Sequence, residues 1–229
     1  MNPMLLLGLF LLLYGFINHS LFGPVQFAAE DPIAFVGFVI AIVLGITVHE
    51  FMHAYTAHSL GDDTARLLGR LSLNPMAHLD PFGMLLLVLA GFGYGKPVPF
   101  NESRLRSSLA VTFVALAGPL ANLGLAALFA VPLRFGSAEV FGPDYARILF
   151  VIVQMNCVLA IFNLIPIPPL DGANIVYGLL PPRQQYSWRT FQQYGPFLLL
   201  FILLLAPRVL QSLVFIPAGQ LTTALTGLH

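Results

Sequence analysis

Long apolar runs with almost no charge inside them constrain this chain more than any other feature. Ile33–His58, Ser108–Leu133 and Ala146–Ile165 each reach the roughly 20 residues that an α-helix needs to cross the hydrocarbon core of a bilayer. In that core every backbone N–H and C=O must be satisfied within the segment, so an isolated apolar run crosses as a helix. Composition agrees. Of 229 residues, 58% are hydrophobic and 9% charged, with a mean hydropathy of +0.85, whereas soluble domains carry about 25% charged residues. The expected fold class is an α-helical polytopic membrane protein, with 1–229 forming a single membrane-embedded domain. Formal net charge is +0, so nothing points to a nucleic-acid partner, and membrane lipid is the expected surrounding. The one cysteine, Cys157, lies in an apolar run and reads as a small buried hydrophobe.

The remaining segments set the span count and the topology. Met4–Ile17 is apolar but short, and no Lys or Arg precedes it. A retained first span, thin or tilted, is expected rather than a cleaved signal peptide. Gly195–Pro217 is apolar but broken by Pro207 and Arg208, which leaves about five to six transmembrane helices. Pro181–Tyr194 reads as a polar loop. Arg66 and Arg70 follow the second span, and Lys96, Arg104 and Arg106 precede the third. If both clusters are cytoplasmic, the short apolar segment Pro81–Tyr94 between them is re-entrant, entering and leaving on one side. The adjoining Gly93–Asn101, with Gly95, Pro97 and Pro99, is expected to be extended. The third span then exits near Glu139 and Asp144, and the fourth returns to Arg183 and Arg189. The C-terminal ends of the second and fourth spans meet on the cytoplasmic side.

Chemistry concentrates at those two ends. The second apolar run closes on His49-Glu50-Phe51-Met52-His53. On a helix, positions i and i+4 lie about 40° apart, so both imidazoles face one way. That spacing lets two histidines bind one zinc ion, while Glu50 on the neighbouring edge can polarise water. Ionisable groups at the end of an apolar helix are costly and usually functional, which outweighs the bland alternative of polar residues at headgroup depth. A third protein ligand is still needed, and His19, His58, His78, Asp80 and Asp171 are the candidates. His58 lies about 180° from His49 round the same helix and faces away, and His19 ends a separate span. Asp171 follows Pro166-Ile167-Pro168-Pro169-Leu170, an extended path, and precedes Gly172, which permits a close turn. Metal ligation and an N-cap for a helix starting near Ala173 are equally open readings of Asp171.

Together, HEFMH in one span and Asn163–Gly172 (NLIPIPPLDG) in a later one resemble the site-2 protease family of intramembrane metalloproteases. The likeness is to the short subgroup without an added PDZ or CBS domain. It covers a catalytic core of about 33–180. Gly69–Pro81, Lys96–Pro99 and Gly118–Asn122 also look like segments of short members. The resemblance implies a zinc metallopeptidase holding one Zn2+ per chain on His49, His53 and Asp171, with Glu50 as general base. It places Asn163 near substrate and the reaction centre. It also implies a transmembrane protein as substrate, cut in or beside its membrane segment. Short members occur in bacteria and archaea, so a prokaryotic plasma membrane is expected, with the active site towards the cytoplasm.

Several residues keep two readings. His78 and Asp80 form either a structural turn, the preferred reading, or a second shell around the metal. Asn122 and Asn156 are read as helix-packing residues. An unwound substrate could pair with the extended Gly93–Asn101 stretch. One rival is a prenyl-protein protease, which usually takes its third ligand from a downstream glutamate; here only Glu102 and Glu139 are available. The other is a non-catalytic metal-binding membrane scaffold or transporter, against which the intact Glu50 argues.

Overall fold

The computed structural model describes residues 23–90, 95–136 and 140–228. The expected first span, Met4–Ile17, lies outside them, as do His19 and Glu139. In chain order the main helices are α1 (Gly23–Glu30), α2 (Pro32–Ser59), α3 (Pro81–Ala90), α4 (Ser108–Arg134), α5 (Pro143–Asn163), α6 (Asp171–Leu179), α7 (Pro182–Gln192), α8 (Gly195–Leu205) and α9 (Ile216–Thr226). Among the described residues, four stretches are long and apolar enough to cross a membrane: Pro32–Ser59, Leu109–Arg134, Pro143–Asn163 and Arg208–Thr226. Helix α3 has 10 residues, about 15 Å of helix, against a hydrocarbon core of roughly 30 Å. It is too short to cross alone, as the sequence suggested.

Local chemistry starts and stops the helix that matters most. Asp31 caps α2 by accepting the Ala34 N–H at 3.1 Å, and Pro32 stands in the first turn, where no intrahelical N–H is required. The same carboxylate pairs with Arg147 of α5. At the other end Gly61 adopts a φ of 107°, which turns the chain sharply off the helix axis. Helices α2, α4 and α5 pack into a three-helix core, with α6 on α4 and α9 across α4 and α5. Small residues permit the approach, since lipid tails offer no hydrophobic drive for one helix to prefer another. A Cβ on Gly37 would lie 3.0 Å from the Ile148 carbonyl oxygen, and one on Gly45 would lie 2.9 Å from Leu159 Cδ1. Cys157 is buried among Ala126, Ala130, Leu149, Val153 and Ala218, the small hydrophobe the sequence suggested.

Two expectations change. Pro181–Tyr194 is not a loop: 182–192 is helical, because Pro182 stands in a first turn and Trp188, Gln185 and Gln192 hydrogen-bond back onto α6. The apolar tail breaks at Pro207, as expected, but its last helix runs past Pro217. Helix α8 stops at Leu205, ahead of Pro207, and the long apolar stretch lies beyond it. Pro217 does not end that stretch, because the π turn Gln211–Phe215 widens the helix just before it and α9 restarts with Pro217 in its first turn.

Between α3 and α4 the chain forms a strap over the end of α2. Leu79 and Gly95 form an antiparallel bridge, and the Lys96 N–H donates to the His78 carbonyl at 2.6 Å. Lys96 and Val98 each precede a proline, which biases both to extended backbone. The expected extended path is therefore present over 95–100. Further along, the Asn101 N–H donates to buried Asp62 at 2.5 Å, and Asp62 also accepts the Thr64 N–H and hydroxyl. Burial alone would raise the Asp62 pKa, but these hydrogen bonds outweigh it and hold the carboxyl below its ordinary range.

Asp62→Asn places an amide where three donors converge, and should cost about 1–3 kcal/mol of stability. A carboxyl whose folded pKa is depressed stabilises above its unfolded value, and that stabilisation is lost as pH falls through the folded value. Thermal unfolding in detergent should therefore show the full gap between wild type and variant above about pH 4, shrinking below it.

Candidate active site

Helix α2 carries His49 and His53 one turn apart on its buried face, 8% and 7% exposed. Their rings pack edge to face with centroids 4.6 Å apart, and the two Nε2 atoms are separated by 3.0 Å. Asp171 Oδ2 lies 3.0 Å from His49 Nε2 and 3.2 Å from His53 Nε2. The three residues form a group that could hold a metal ion. Asp171 is the first residue of α6, with Leu170 at the cap position, so it does not cap a helix beginning near Ala173. Gly172 makes this placement possible. A Cβ there would lie 2.3 Å from both the Leu164 and Ile165 carbonyl oxygens. The chain folds back on itself after α5 and aims the carboxylate at the histidines.

Hydrogen bonding decides what those nitrogens present. His53 Nδ1 lies 2.6 Å from the Val114 carbonyl oxygen, which only accepts, so Nδ1 carries the proton. For His49 the same result passes along a chain of amides. Asn156 Nδ2 donates to the Ile152 carbonyl, so its Oδ1 accepts from Asn122 Nδ2 at 3.0 Å. Asn122 Nδ2 also donates to the Gly45 carbonyl, and its Oδ1 accepts from His49 Nδ1 at 2.6 Å. In its neutral form each ring therefore turns an Nε2 lone pair inward. Asp171 Oδ2 is buried and receives no hydrogen bond.

Three electron-pair donors facing one another repel unless positive charge lies between them. A proton bridges one pair, whereas a divalent cation satisfies all three. Two imidazoles and a carboxylate suit zinc, and three protein ligands leave a fourth position open for chemistry. Tetrahedral coordination at zinc–nitrogen lengths near 2.05 Å separates ligand atoms by about 3.3 Å, close to the separations found here. Helix α4 leaves room for it. A Cβ on Gly118 would lie 2.4 Å from His53 Nε2 and 2.6 Å from His49 Nε2.

The other candidates are distributed around this group. Glu50 is half-buried, and its Oε2 accepts the Val98 N–H of the strap at 3.0 Å. Asn163 ends α5 and donates through Nδ2 to the Leu159 carbonyl at 3.0 Å. His78 is fully buried, with Nε2 2.6 Å from the Ser72 carbonyl and Nδ1 without a partner. Its own carbonyl holds Lys96, so its described bonds run to the strap and the preceding turn. His58 pairs with Asp63 at 2.5 Å, away from the group as its helical phase required. Asn122, Asn156 and Gly118 were underweighted in the sequence. Two asparagines and a glycine in apolar spans were the available signal, but helix packing explains such residues equally well until the partners are seen.

Comparison with known proteins gives the family. The model of Peptidase family M50 matches residues 37–142 and 138–206. The chain belongs to that family. It is 40% identical to YwhC of Bacillus subtilis over 181 residues, covering 75% of this chain and 83% of YwhC. It is 31% identical to Rip2 of Mycolicibacterium smegmatis, covering 81% and 75%. Zinc metalloprotease MJ0392 of Methanocaldococcus jannaschii is 24% identical, covering 82% of this chain and 44% of the relative. All three bear zinc-metalloprotease names. No solved structure matches. Family M50 contains the site-2 proteases, so this M50 member is an intramembrane zinc metalloprotease, as the paired motifs implied.

Gly118→Ala should intrude on the metal position and abolish stoichiometric zinc. Asn122→Ala frees the His49 tautomer and should weaken zinc binding by about 10–100-fold. Zinc titration of purified variants against a chromophoric chelator checks both.

Proposed function

We propose that His49, His53 and Asp171 bind the catalytic zinc, and that Glu50 is the general base for hydrolysis of a peptide bond in or beside a substrate's transmembrane segment. The carrying observation is the convergence of His49 Nε2, His53 Nε2 and Asp171 Oδ2 within 3.2 Å, with both Nδ1 protons committed elsewhere. A zinc ion held there supplies Lewis acidity, which makes water a nucleophile near neutral pH. Glu50 takes the proton. The Val98 N–H holds its Oε2, which orients the carboxylate and leaves Oε1 to accept. Asn163 Nδ2 has a second N–H beyond the one given to Leu159, and we assign that donor to the substrate carbonyl. His78 serves the site through the strap it pins.

A transmembrane substrate must unwind before cleavage, because its backbone groups are internally satisfied. The strap can receive the unwound segment, but only in part. Pro97 and Pro99 have no N–H, and those of Lys96 and Val98 go to the His78 carbonyl and Glu50. Along Lys96–Pro99 substrate therefore meets carbonyl acceptors rather than donors. The third donor being Asp171 rather than a glutamate on a later helix disfavours the prenyl-protease alternative. Location in a prokaryotic plasma membrane follows from the same reading. A cytoplasmic site rests on Arg66, Arg70, Lys96, Arg104 and Arg106 flanking α3, which makes 81–94 re-entrant.

Single cysteines at Arg70 and Arg104 should react with an impermeant thiol reagent from one side of sealed vesicles, the cytoplasmic side. Reaction from opposite sides would overturn the re-entrant path.

Glu50→Gln should retain about one zinc per chain and lose at least about 100-fold in cleavage of a model transmembrane substrate. Asp171→Ala should lose both zinc and activity, which separates ligand from base. Wild-type cleavage by Glu50→Gln would remove Glu50 from the mechanism. Cleavage by neither protein, with zinc bound in both, would favour a metal-binding scaffold.

A further inference from the structure

The strap and α6 carry the contacts that orient two different parts of the site, and one polar cluster joins them. Tyr177 lies on α6 with Asp171, 4% exposed, in one buried apolar cluster with Ala57, Leu105, Ala110, Val111 and Val114. Val114 is also the residue whose carbonyl fixes the His53 tautomer. The Tyr177 hydroxyl accepts from Arg189 Nε at 2.9 Å and Nη2 at 2.5 Å, so it donates its own proton to Glu102 Oε2 at 3.0 Å. Arg189 Nη2 also reaches Glu102 Oε2 at 2.6 Å. Glu102 directly follows Asn101, the residue anchored on Asp62, at the end of the strap. Arg189 is held by α7, which is tied to α6 through Trp188 to the Ala173 carbonyl, Gln185 to the Tyr177 carbonyl and Gln192 to Asn174.

We propose that Tyr177, Glu102 and Arg189 form a lock that sets the strap, and with it Val98 on Glu50, relative to the helix bearing Asp171. All three are positioning residues for proteolysis. The proposal rests on the reading of Glu50 as base and Asp171 as ligand. The strap's other bonds, to His78, Glu50 and Asp62, run to α2 and the segment that follows it. The lock runs instead to α6. An exposed Arg–Glu pair by itself contributes little stability. Its value here is geometric, because a general base and a ligand carboxylate on separate elements must keep a fixed relation. The Tyr177 hydroxyl supplies that relation from inside the packed core.

The test uses the zinc-loaded full chain in proteoliposomes with a model transmembrane substrate, and Tyr177→Phe, which keeps the ring and its packing. The lock predicts a kcat at least about tenfold lower, with KM changed less than about threefold and zinc content unchanged. It also predicts that hydrogen exchange over 95–101 accelerates by at least about tenfold while 108–134 stays at the wild-type rate. Glu102→Gln should do the same, and the double variant should be no worse than the weaker single, because both break one link. Wild-type kcat with wild-type exchange, additive losses, or zinc loss in step with activity would each overturn the proposal. Hydrogen exchange also separates this lock from the protease reading. If wild type cleaves nothing, accelerated exchange over 95–101 still supports the lock, and unchanged exchange removes it.

Discussion

Two imidazole nitrogens and a carboxylate oxygen lie within 3.2 Å of one another inside an apolar bundle. Lone pairs at that distance repel, and the surroundings hold them there. Val114 takes one Nδ1 proton and Asn122 the other, while Asn156 fixes which way Asn122 points. In a low-dielectric interior, each of these groups left unpaired would carry the full cost of desolvation. The polar chain therefore satisfies itself on the outside of the rings and leaves electron pairs on the inside. That arrangement makes sense of a zinc protease whose water chemistry takes place within a membrane protein.

The bundle is built to allow this close approach. Gly45 lets α2 meet α5, Gly118 keeps α4 clear of the metal position, and Gly172 lets the chain reverse tightly enough to return Asp171. Each glycine removes a side chain where backbone or metal must come near. The proline run before Asp171 prevents α5 from continuing and leaves α6 to start at Asp171 itself. Around this fixed centre lies the strap, held by main-chain bonds to His78, Glu50 and Asp62. Because Pro97 and Pro99 lack donors and the N–H groups of Lys96, Val98 and Asn101 are engaged, it does not offer a full strand edge that would invite unspecific pairing.

Much of this is legible in the amino-acid sequence. Charge-poor apolar runs dictate crossing helices, since nothing else satisfies the backbone in hydrocarbon. His49 and His53 share a face because a helix repeats every 3.6 residues. The shortness of 81–94 follows from counting residues against bilayer thickness. Asp171 was less certain. Its neighbours showed an extended approach and a tight turn, and those fit a helix cap as well as a ligand. The family resemblance favoured ligation, and the position of Oδ2 beside both Nε2 atoms supports it.

What the tertiary structure decided concerns partners far apart in the chain. Asn122 meets His49 across 73 positions and Asn156 across 34, and no local pattern specifies which apolar helix face will hold a given amide. Helix α7 read as a loop because its polar composition has no apolar stripe, and its stability comes from hydrogen bonds to α6 that only the fold supplies. The tail helix outlived Pro217 through a π turn, a change in hydrogen-bond register that composition does not encode. Sequence by itself determined that the three long apolar runs form helices of membrane-crossing length and which residue types can bind zinc, because hydrophobicity and helical periodicity are local properties. Tautomers, the strap's hold on Glu50 and the return of Asp171 were settled by packing, because they depend on where separate helices meet.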